Sequence, residues 1–246
     1  MAKQNEGTHA PSETRSKRQG RADRILDAAA ELLLRWGYKK TTIDDIAKQA
    51  RVAKGTIYLH WKTREDLFEA LLTREWLGLM QEFIQHLSTD PEGGTLYNMI
   101  SQACSMTMSR PLIRAALLRD IDMLGDILHT TSGAEVIRMR IQFGTAYMEL
   151  LRNKGMLRTD IDLTTQIKML GAIFTGFFII DPYMPDELKF SLPELVDALT
   201  ETIRRTFEPP EPPSPEAVQE VTRYLQQGLQ QLLTAVQAMA NKETEA

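Results

Sequence analysis

The residues best suited to chemistry lie between positions 41 and 62, where hydrogen-bond donors and positive charges are interspersed with apolar residues. Such groups bind phosphate, and phosphate contacts fix register on a nucleic acid while contacts to base edges supply specificity. Gly55 has no side chain, so a helix that carries it allows close approach to its backbone. The exposed side of a short helix from residue 54 would hold Lys54, Gly55, Thr56, Leu59 and His60, and further donors are Thr42, Tyr58, Lys62 and Arg64.

Two helices joined by a tight turn would position these side chains. Thr42 and Asp45 have the spacing of a capping box, with Asp in place of the usual Glu or Gln, and predict the start of the first helix. Ala47 and Ala50 are small enough to lie where two helices cross, and residues 51–53 form the turn. The second helix would occupy residues 54–61. This pattern predicts a helix-turn-helix, whose second helix enters the major groove of DNA.

Helices are also predicted on both sides of this motif. The apolar residues of segment 21–36 form one helical stripe that Gly37 ends, and Thr63 with Asp66 repeats the capping pattern before a fourth helix. Strand-like alternation is absent, so the fold class is all-α. Further helices are predicted at residues 95–108, 111–124, 133–154, 163–180, 192–207 and 215–239.

The charge distribution agrees with a basic N-terminal binding region. The whole chain has a net charge of −4, but residues 1–62 hold 13 Lys and Arg against 7 Asp and Glu, a net charge of +6. Salt screens charges beyond about 10 Å, so the acidic remainder leaves this attraction intact. Residues 1–20 are polar and lack a hydrophobic period, which predicts a disordered basic arm. That arm either reaches DNA or only keeps the chain soluble.

Composition argues against several other classes of protein. No run approaches the roughly 18 apolar residues of a membrane helix, and residues 1–20 lack the apolar centre of a signal peptide. Cys104 is the single cysteine, so an intrachain disulfide is impossible and a cytoplasmic location is expected. We find no paired nucleophile and base, no phosphate loop and no cluster of metal ligands. An enzyme, a metal site and a cofactor are therefore not expected.

The N-terminal pattern resembles the DNA-binding domain of the tetracycline-repressor (TetR) family. The likeness covers residues 21–72 and is carried by segments 24–29, 37–38, 41–47, 52–58 and 62–67. Two residues depart from the family pattern. Arg51 stands where a turn glycine is usual, and Ala53 replaces the common Ser or Thr cap. The DNA contacts that the resemblance implies are Thr42, Lys54, Gly55, Thr56, Tyr58, His60 and Lys62.

The same resemblance implies a homodimer whose C-terminal domain binds a small-molecule effector and dimerises. We assign this domain to residues 73–208, followed by a proline-rich connector at 209–215 and an amphipathic helix and tail at 216–246. That last helix must pack on its own body or on a partner. Dimerisation is expected on residues 163–180 and 192–207, the latter through Leu195, Leu199, Ile203 and Phe207.

An apolar effector pocket is plausible among these helices, although core packing is the simpler interpretation for most of its candidate residues. The leading hypothesis is a repressor that a small, largely apolar ligand releases from a palindromic operator of double-stranded DNA. The alternative is an architectural or cell-cycle DNA-binding factor without an inducer. The candidate pocket residues are Met99, Ala103, Met106, Met123, Phe143, Tyr147, Phe174 and Phe177.

Overall fold

The computed structural model describes residues 10–118, 131–180 and 183–245. Within these ranges the regular structure is helical and no strand occurs, which confirms the all-α prediction. Short 3₁₀ turns occupy Tyr38–Lys40 and Asp186–Leu188. The helices are α1 (Ala10–Trp36), α2 (Ile43–Gln49), α3 (Lys54–Tyr58), α4 (Arg64–Thr89), α5 (Leu96–Met108), α6 (Pro111–Leu118), α7 (Thr131–Asn153), α8 (Leu163–Ile180), α9 (Leu192–Phe207) and α10 (Pro215–Glu245).

The chain forms two compact units, with the boundary between Leu71 and Leu72 inside α4. In the first unit, α1, α2, α3 and the first turns of α4 surround one apolar core. Ile25, Ile46, Ile57 and Phe68 are completely buried there. Burial of this apolar surface is what holds the short helix α3 in place, because a five-residue helix is unstable alone.

Helix α1 begins earlier than the sequence predicted. Residues 10–20 were expected to be disordered, yet they continue α1 towards the N-terminus, while residues 1–9 lie outside the described residues. Among the described side chains of α1, those of residues 18–21 are exposed, and Ala22 is the first that is buried. The lack of an apolar stripe over residues 18–21 reflects a part of the helix that does not pack on the core. The sequence analysis took this lack as a sign of disorder. Extending an existing helix costs little, since each added residue gains a hydrogen bond without a new nucleus.

In the second unit, α9 packs lengthwise on α5, and α7 and α8 complete the core. The side chains of Leu195, Leu199, Ile203 and Phe207 are fully or almost fully buried against their own subunit. These four residues were predicted to lie in a dimer interface, and that prediction was wrong for them. A hydrophobic stripe shows that a helix face is buried, but it does not show which chain buries it.

Helix α8 differs from α9 because few of its residues are buried. It is 18 residues long with a mean hydropathy of 1.5, so by length and composition it is apolar enough to cross a membrane. The sequence analysis looked for about 18 consecutive apolar residues and found no such run, because Thr164, Thr165, Gln166 and Lys168 interrupt this one. The mean hydropathy of the helix is high despite these polar residues. Only 11% of the helix is buried within the chain.

Helix α10 packs on α7 and against the second half of α4. Leu232, Leu233 and Val236 form a small buried cluster with Met80. This confirms that the apolar stripe of α10 covers the body of its own chain. The proline-rich connector precedes α10, and Pro215 stands at the first helical position, where a missing N–H does no harm.

The contact between α10 and the loop after α4 is unusually close. The Gly94 backbone N–H donates to the Thr222 hydroxyl at 3.1 Å, and the Gly94 carbonyl accepts from the Tyr147 hydroxyl at 2.8 Å. A Cβ atom added at Gly94 would collide with the backbone of Thr222. The Gln226 side chain donates to the Leu87 carbonyl at 2.6 Å. Glycine is therefore required at position 94 for α10 to dock.

Candidate nucleic-acid interface

The interface begins at the N-terminus of α2, which has the predicted capping box. The Asp45 backbone N–H donates to the Thr42 hydroxyl at 3.2 Å, and the Thr42 N–H donates to the Asp45 carboxylate at 3.3 Å. Such a cap satisfies amides that the first helical turn leaves without partners. It also fixes the direction in which α2 leaves the preceding loop.

The turn between α2 and α3 is stabilised by backbone hydrogen bonds and one left-handed residue. The Val52 N–H donates to the Ala47 carbonyl at 3.0 Å, which folds the chain back sharply after α2. Arg51 has a φ of 55°, a conformation that side chains with a Cβ atom disfavour. Arg51, which stands where the family usually has a glycine, therefore has a strained backbone conformation. Ile57, completely buried, fills the angle between the two helices.

Helix α3 and the turn after it present most of the predicted DNA contacts on an exposed surface. Tyr58 is 47% exposed and Leu59 is 71% exposed, unusually high values for large side chains. Gly55 has open space where a Cβ atom would be. Of the other residues predicted from the resemblance, Thr42, Lys54 and Lys62 are exposed, while Thr56 and His60 are half-buried.

Lys54 is tied to α2 by an ion pair that the sequence analysis missed. Its Nζ atom lies 2.8 Å from the Asp44 carboxylate, and this hydrogen bond raises the pKa of Lys54. Both side chains are largely exposed, so the pair contributes little to stability. Its effect is to offset the positive charge at the start of α3. The sequence analysis missed this contact because the partners are ten positions apart and only the geometry of the turn brings them together.

His60 lies against the ring of Trp61, with centroids 5.3 Å apart. Burial lowers the pKa of His60, and the positive charges of Arg18 and Arg21 lower it further. A neutral imidazole carries one donor and one acceptor, so His60 can exchange hydrogen bonds with a base edge.

The side chain of Arg64 packs on Tyr38 within the first unit. Its guanidinium lies 3.9 Å from the centre of the Tyr38 ring and donates to the Tyr38 carbonyl. Tyr38 in turn donates to the Glu65 carboxylate at 2.8 Å, which lowers the pKa of Glu65. Arg64 was considered as a phosphate donor, but its side chain is already engaged in stacking.

Comparison with known proteins identifies this arrangement. The family described as "Bacterial regulatory proteins, tetR family" matches residues 25–71, which cover the C-terminal part of α1, all of α2 and α3, and the first turns of α4. The chain therefore carries a DNA-binding domain of the tetR family at residues 25–71. It is accordingly a DNA-binding transcription regulator, as the resemblance predicted.

Relatives extend the likeness beyond the DNA-binding unit. An uncharacterized HTH-type transcriptional regulator of Bacillus subtilis (strain 168), YvkB, is 27% identical over 181 residues, which cover 70% of this chain and 87% of YvkB. The A-factor receptor protein of Streptomyces griseus is 27% identical over 161 residues, 63% of this chain and 53% of the receptor. The crystal structure of native NalD, described as the secondary repressor of the MexAB-OprM multidrug efflux pump in Pseudomonas aeruginosa, covers 80% of this chain and 100% of NalD with a TM-score of 0.58. At 18% identity the NalD match establishes a shared fold.

The predicted effector-pocket residues of this tetR-family protein lie within packed parts of the second unit. Tyr147 is buried, the ring of Phe143 stacks on Tyr224 of α10, and Phe174 lies 5.0 Å from Phe178. Phe177 packs near Phe190, and Met123 lies outside the described residues. Met99 and Ala103 are half-buried in α5, whereas Met106 is buried.

Two cavities open among the helices of the second unit, and polar side chains line most of both. The larger one, of about 440 Å³, lies between α4 and α5, and of the predicted pocket residues that the structure describes, Met106 alone lies on its wall. The smaller one, of about 260 Å³, lies between the end of α4 and α10. Cys104 is completely buried, and burial raises its pKa to about 11, which suits packing better than redox chemistry.

Proposed function

We propose that this tetR-family regulator is a homodimeric repressor that places two α3 helices in successive major grooves of a palindromic operator. The observation that carries the proposal is the exposed surface of α3, held by a capped α2 and a buried Ile57. A dimer of this kind requires half-sites about one helical turn or somewhat more apart. NalD, which shares the fold, is described as a repressor.

The exposed face of α8 supports the homodimer. Lys168, Ala172 and Gly176 recur every four residues and are exposed, and Ile179 continues the face at 47% exposure. A Cβ atom added at Gly171 or Gly176 would have nothing within 4 Å beyond its own helix, so another helix can approach closely there. We assign the apolar character of α8 to subunit pairing of a cytoplasmic protein, because a second copy would bury the face that this chain leaves open.

A small, largely apolar effector is the proposed signal that releases the operator. One relative is called a receptor, and four of the predicted pocket residues are aromatic and belong to or pack against the core of the second unit. Phe143, Tyr147, Phe174 and Phe177 are packed in this structure, so an effector would have to displace existing contacts. Its binding would then be visible as a rise in melting temperature on a ligand panel, because a ligand specific to the folded state stabilises it.

One observation favours the alternative of a DNA-binding factor without an inducer. Both cavities described above are open and lined mainly by polar groups, whereas apolar effectors bind in enclosed, mainly apolar pockets. A broad ligand panel decides between the two functions. The absence of any thermal shift across apolar and aromatic ligands would favour the alternative.

A binding series with α3 variants tests DNA recognition. Lys62→Gln should weaken binding to all duplexes alike, because a phosphate contact carries no sequence information. Thr56→Ala and His60→Gln should instead change the preference between a palindrome from the region upstream of its own gene and a scrambled duplex. The matched control is Lys189→Gln in the second unit, which should bind like wild type. Wild-type protein that binds no duplex at low salt would refute the proposal.

A further inference from the structure

The N-terminal part of α1 carries two arginines near α3, the helix that we propose enters the major groove. Arg18 and Arg21 are exposed and lie three residues apart, so they share a face of α1. The Arg18 Nη2 atom is 3.5 Å from the carbonyl oxygen of Leu59, the residue directly after α3. Both arginines also lie close enough to His60 for their charges to act on it. A direct contact thus places Arg18 at the C-terminal end of α3, and Arg21 lies one turn further along the same face of α1, near enough for its charge to act on His60.

The helical state of this segment fixes where the arginines lie. Ala22 and Ile25, which follow within two turns of Arg18, are buried in the core of the first unit. The arginines therefore extend from an anchored helix, and a flexible arm would have to be ordered before it could contact a ligand. A preorganised group retains more of its binding free energy because less conformational entropy is lost.

The two arginines also provide charge that α3 lacks. Lys54 is paired with Asp44, whereas neither Arg18 nor Arg21 has an ion-pair partner within the parts of the chain that the structure describes. Arginine has five N–H donors, and the bond to Leu59 leaves most of those of Arg18 available. Exposed guanidinium groups with free donors match the geometry of phosphate oxygens.

We propose that Arg18 and Arg21 form a second DNA-contacting element, which binds backbone phosphates beside the groove that α3 enters. The inference rests on the proposed DNA-bound dimer and deepens it. In this proposal the two helices have different roles in DNA binding. Helix α3 reads the bases, and the N-terminal part of α1 supplies sequence-independent attraction.

The test measures how DNA affinity depends on salt. Arg21→Gln is the cleaner variant, because Arg18 also contacts the backbone after α3. The probe is a fluorescein-labelled duplex of mixed sequence, long enough for two half-sites, titrated between about 50 and 200 mM salt. Each phosphate contact contributes about 0.9 to the slope of log K against log salt, so a dimer that loses two contacts should lose about 1.8. Over that salt range, wild type should then lose about tenfold more affinity than Arg21→Gln.

Arg35→Gln is the matched control. It removes the same charge from the same helix about 21 Å further along, at 1.5 Å per residue. Its slope should equal that of wild type. An Arg21→Gln slope equal to that of Arg35→Gln would overturn the proposal.

Arg18→Gln separates a binding role from a structural one. A lower slope with an unchanged melting temperature supports the phosphate contact. A lower melting temperature with an unchanged slope would show that Arg18 only caps the Leu59 carbonyl, which overturns the proposal for that residue. Failure of the proposed function itself is distinguishable, because wild type would then bind no duplex at all.

Discussion

At the scale of single residues, we infer that DNA affinity and sequence specificity depend on different side chains. The Asp44 carboxylate offsets the charge of Lys54, so α3 adds little net positive charge where it would meet a base edge. The other groups on this surface are the exposed phenol of Tyr58, the half-buried imidazole of His60 and the exposed apolar side chain of Leu59, the last two directly after α3. An apolar side chain in the major groove can contact the methyl group of thymine. We infer that mutations on α3 will alter which sequence binds more than how tightly DNA binds overall.

His60 should make DNA binding dependent on pH. In the free protein its pKa lies below the ordinary value, so His60 is neutral at pH 7. Nearby phosphates favour the imidazolium form and raise this pKa in the complex. Binding then takes up a proton, and affinity should rise several-fold as the pH falls from about 7.5 to 6. Anisotropy titrations at constant ionic strength measure the effect.

The control for this pH effect is His60→Gln, which should lose the His60 contribution and bind with a flatter pH profile. His86 lies in the second unit, so His86→Gln should keep the wild-type profile. Equal pH dependence in wild type and His60→Gln would refute the assignment.

The Arg51→Gly variant should be more stable to unfolding than wild type. The left-handed backbone at this position costs a residue with a Cβ atom roughly 1 kcal/mol, and glycine is free of that cost. Glycine also loses more entropy on folding, so the net gain expected for Arg51→Gly is about 0.5 kcal/mol. Urea unfolding measures it. Arg51→Ala retains the Cβ atom and should gain nothing, and equal stability of the two variants would show that the backbone there is unstrained.

At the scale of helices, the features that sequence predicted correctly are those that neighbouring residues determine. The capping pairs of Thr42 with Asp45 and Thr63 with Asp66 both form, because each partner lies three residues away. The end of α1 at Gly37 also follows from one residue that adopts a φ of 73°. The core stripe of the first unit is equally local, since its period is that of one helix.

Contacts between segments that are distant in the chain could not be predicted from the sequence. Nothing local indicates that Phe143 stacks on Tyr224 or that Arg64 covers Tyr38, because each pair depends on how helices pack. Likewise, the stripe on α9 predicted burial correctly but could not show that α5 provides it. A single sequence reports which face is apolar, and the tertiary structure alone reports what covers it.

Docking of α10 should depend on Gly94. The Gly94→Ala side chain would meet the Thr222 backbone, which cannot move as easily as a side chain. Overpacking of this kind costs about 2–3 kcal/mol. Gly144→Ala is the control, because it fills open space on the helix α7 and should stabilise the protein by up to about 1 kcal/mol. Thermal unfolding compares the two variants, and similar melting temperatures would contradict the close contact.

At the scale of the whole molecule, the open face of α8 should tie stability to protein concentration. If a second copy covers this face, the melting temperature must rise with concentration, because dimerisation stabilises the folded chain by mass action. Ala172→Glu places a charge on the face and should produce monomers under conditions where wild type is dimeric. Such monomers should bind operator DNA at least tenfold more weakly, because each carries only one recognition helix.

Sedimentation velocity measures this change in mass directly. The matched control is Gln219→Glu, which adds the same charge to an exposed position of α10 and should remain dimeric. A dimeric Ala172→Glu protein would remove α8 from the interface and would leave its apolar face without an assigned partner.

The open face of α8 also has a genetic consequence. If α8 pairs the subunits, a cell that carries one intact and one defective copy of this gene would pair their products at random, since such an interface does not distinguish subunits that differ only in α3. A substitution such as Lys54→Glu would then inactivate every mixed pair as well as its own. Only one assembly in four would retain two working recognition helices, because each member of a pair is drawn independently from roughly equal pools. Defects in α3 should therefore be dominant, whereas defects that unfold the second unit should be recessive, because such chains cannot pair.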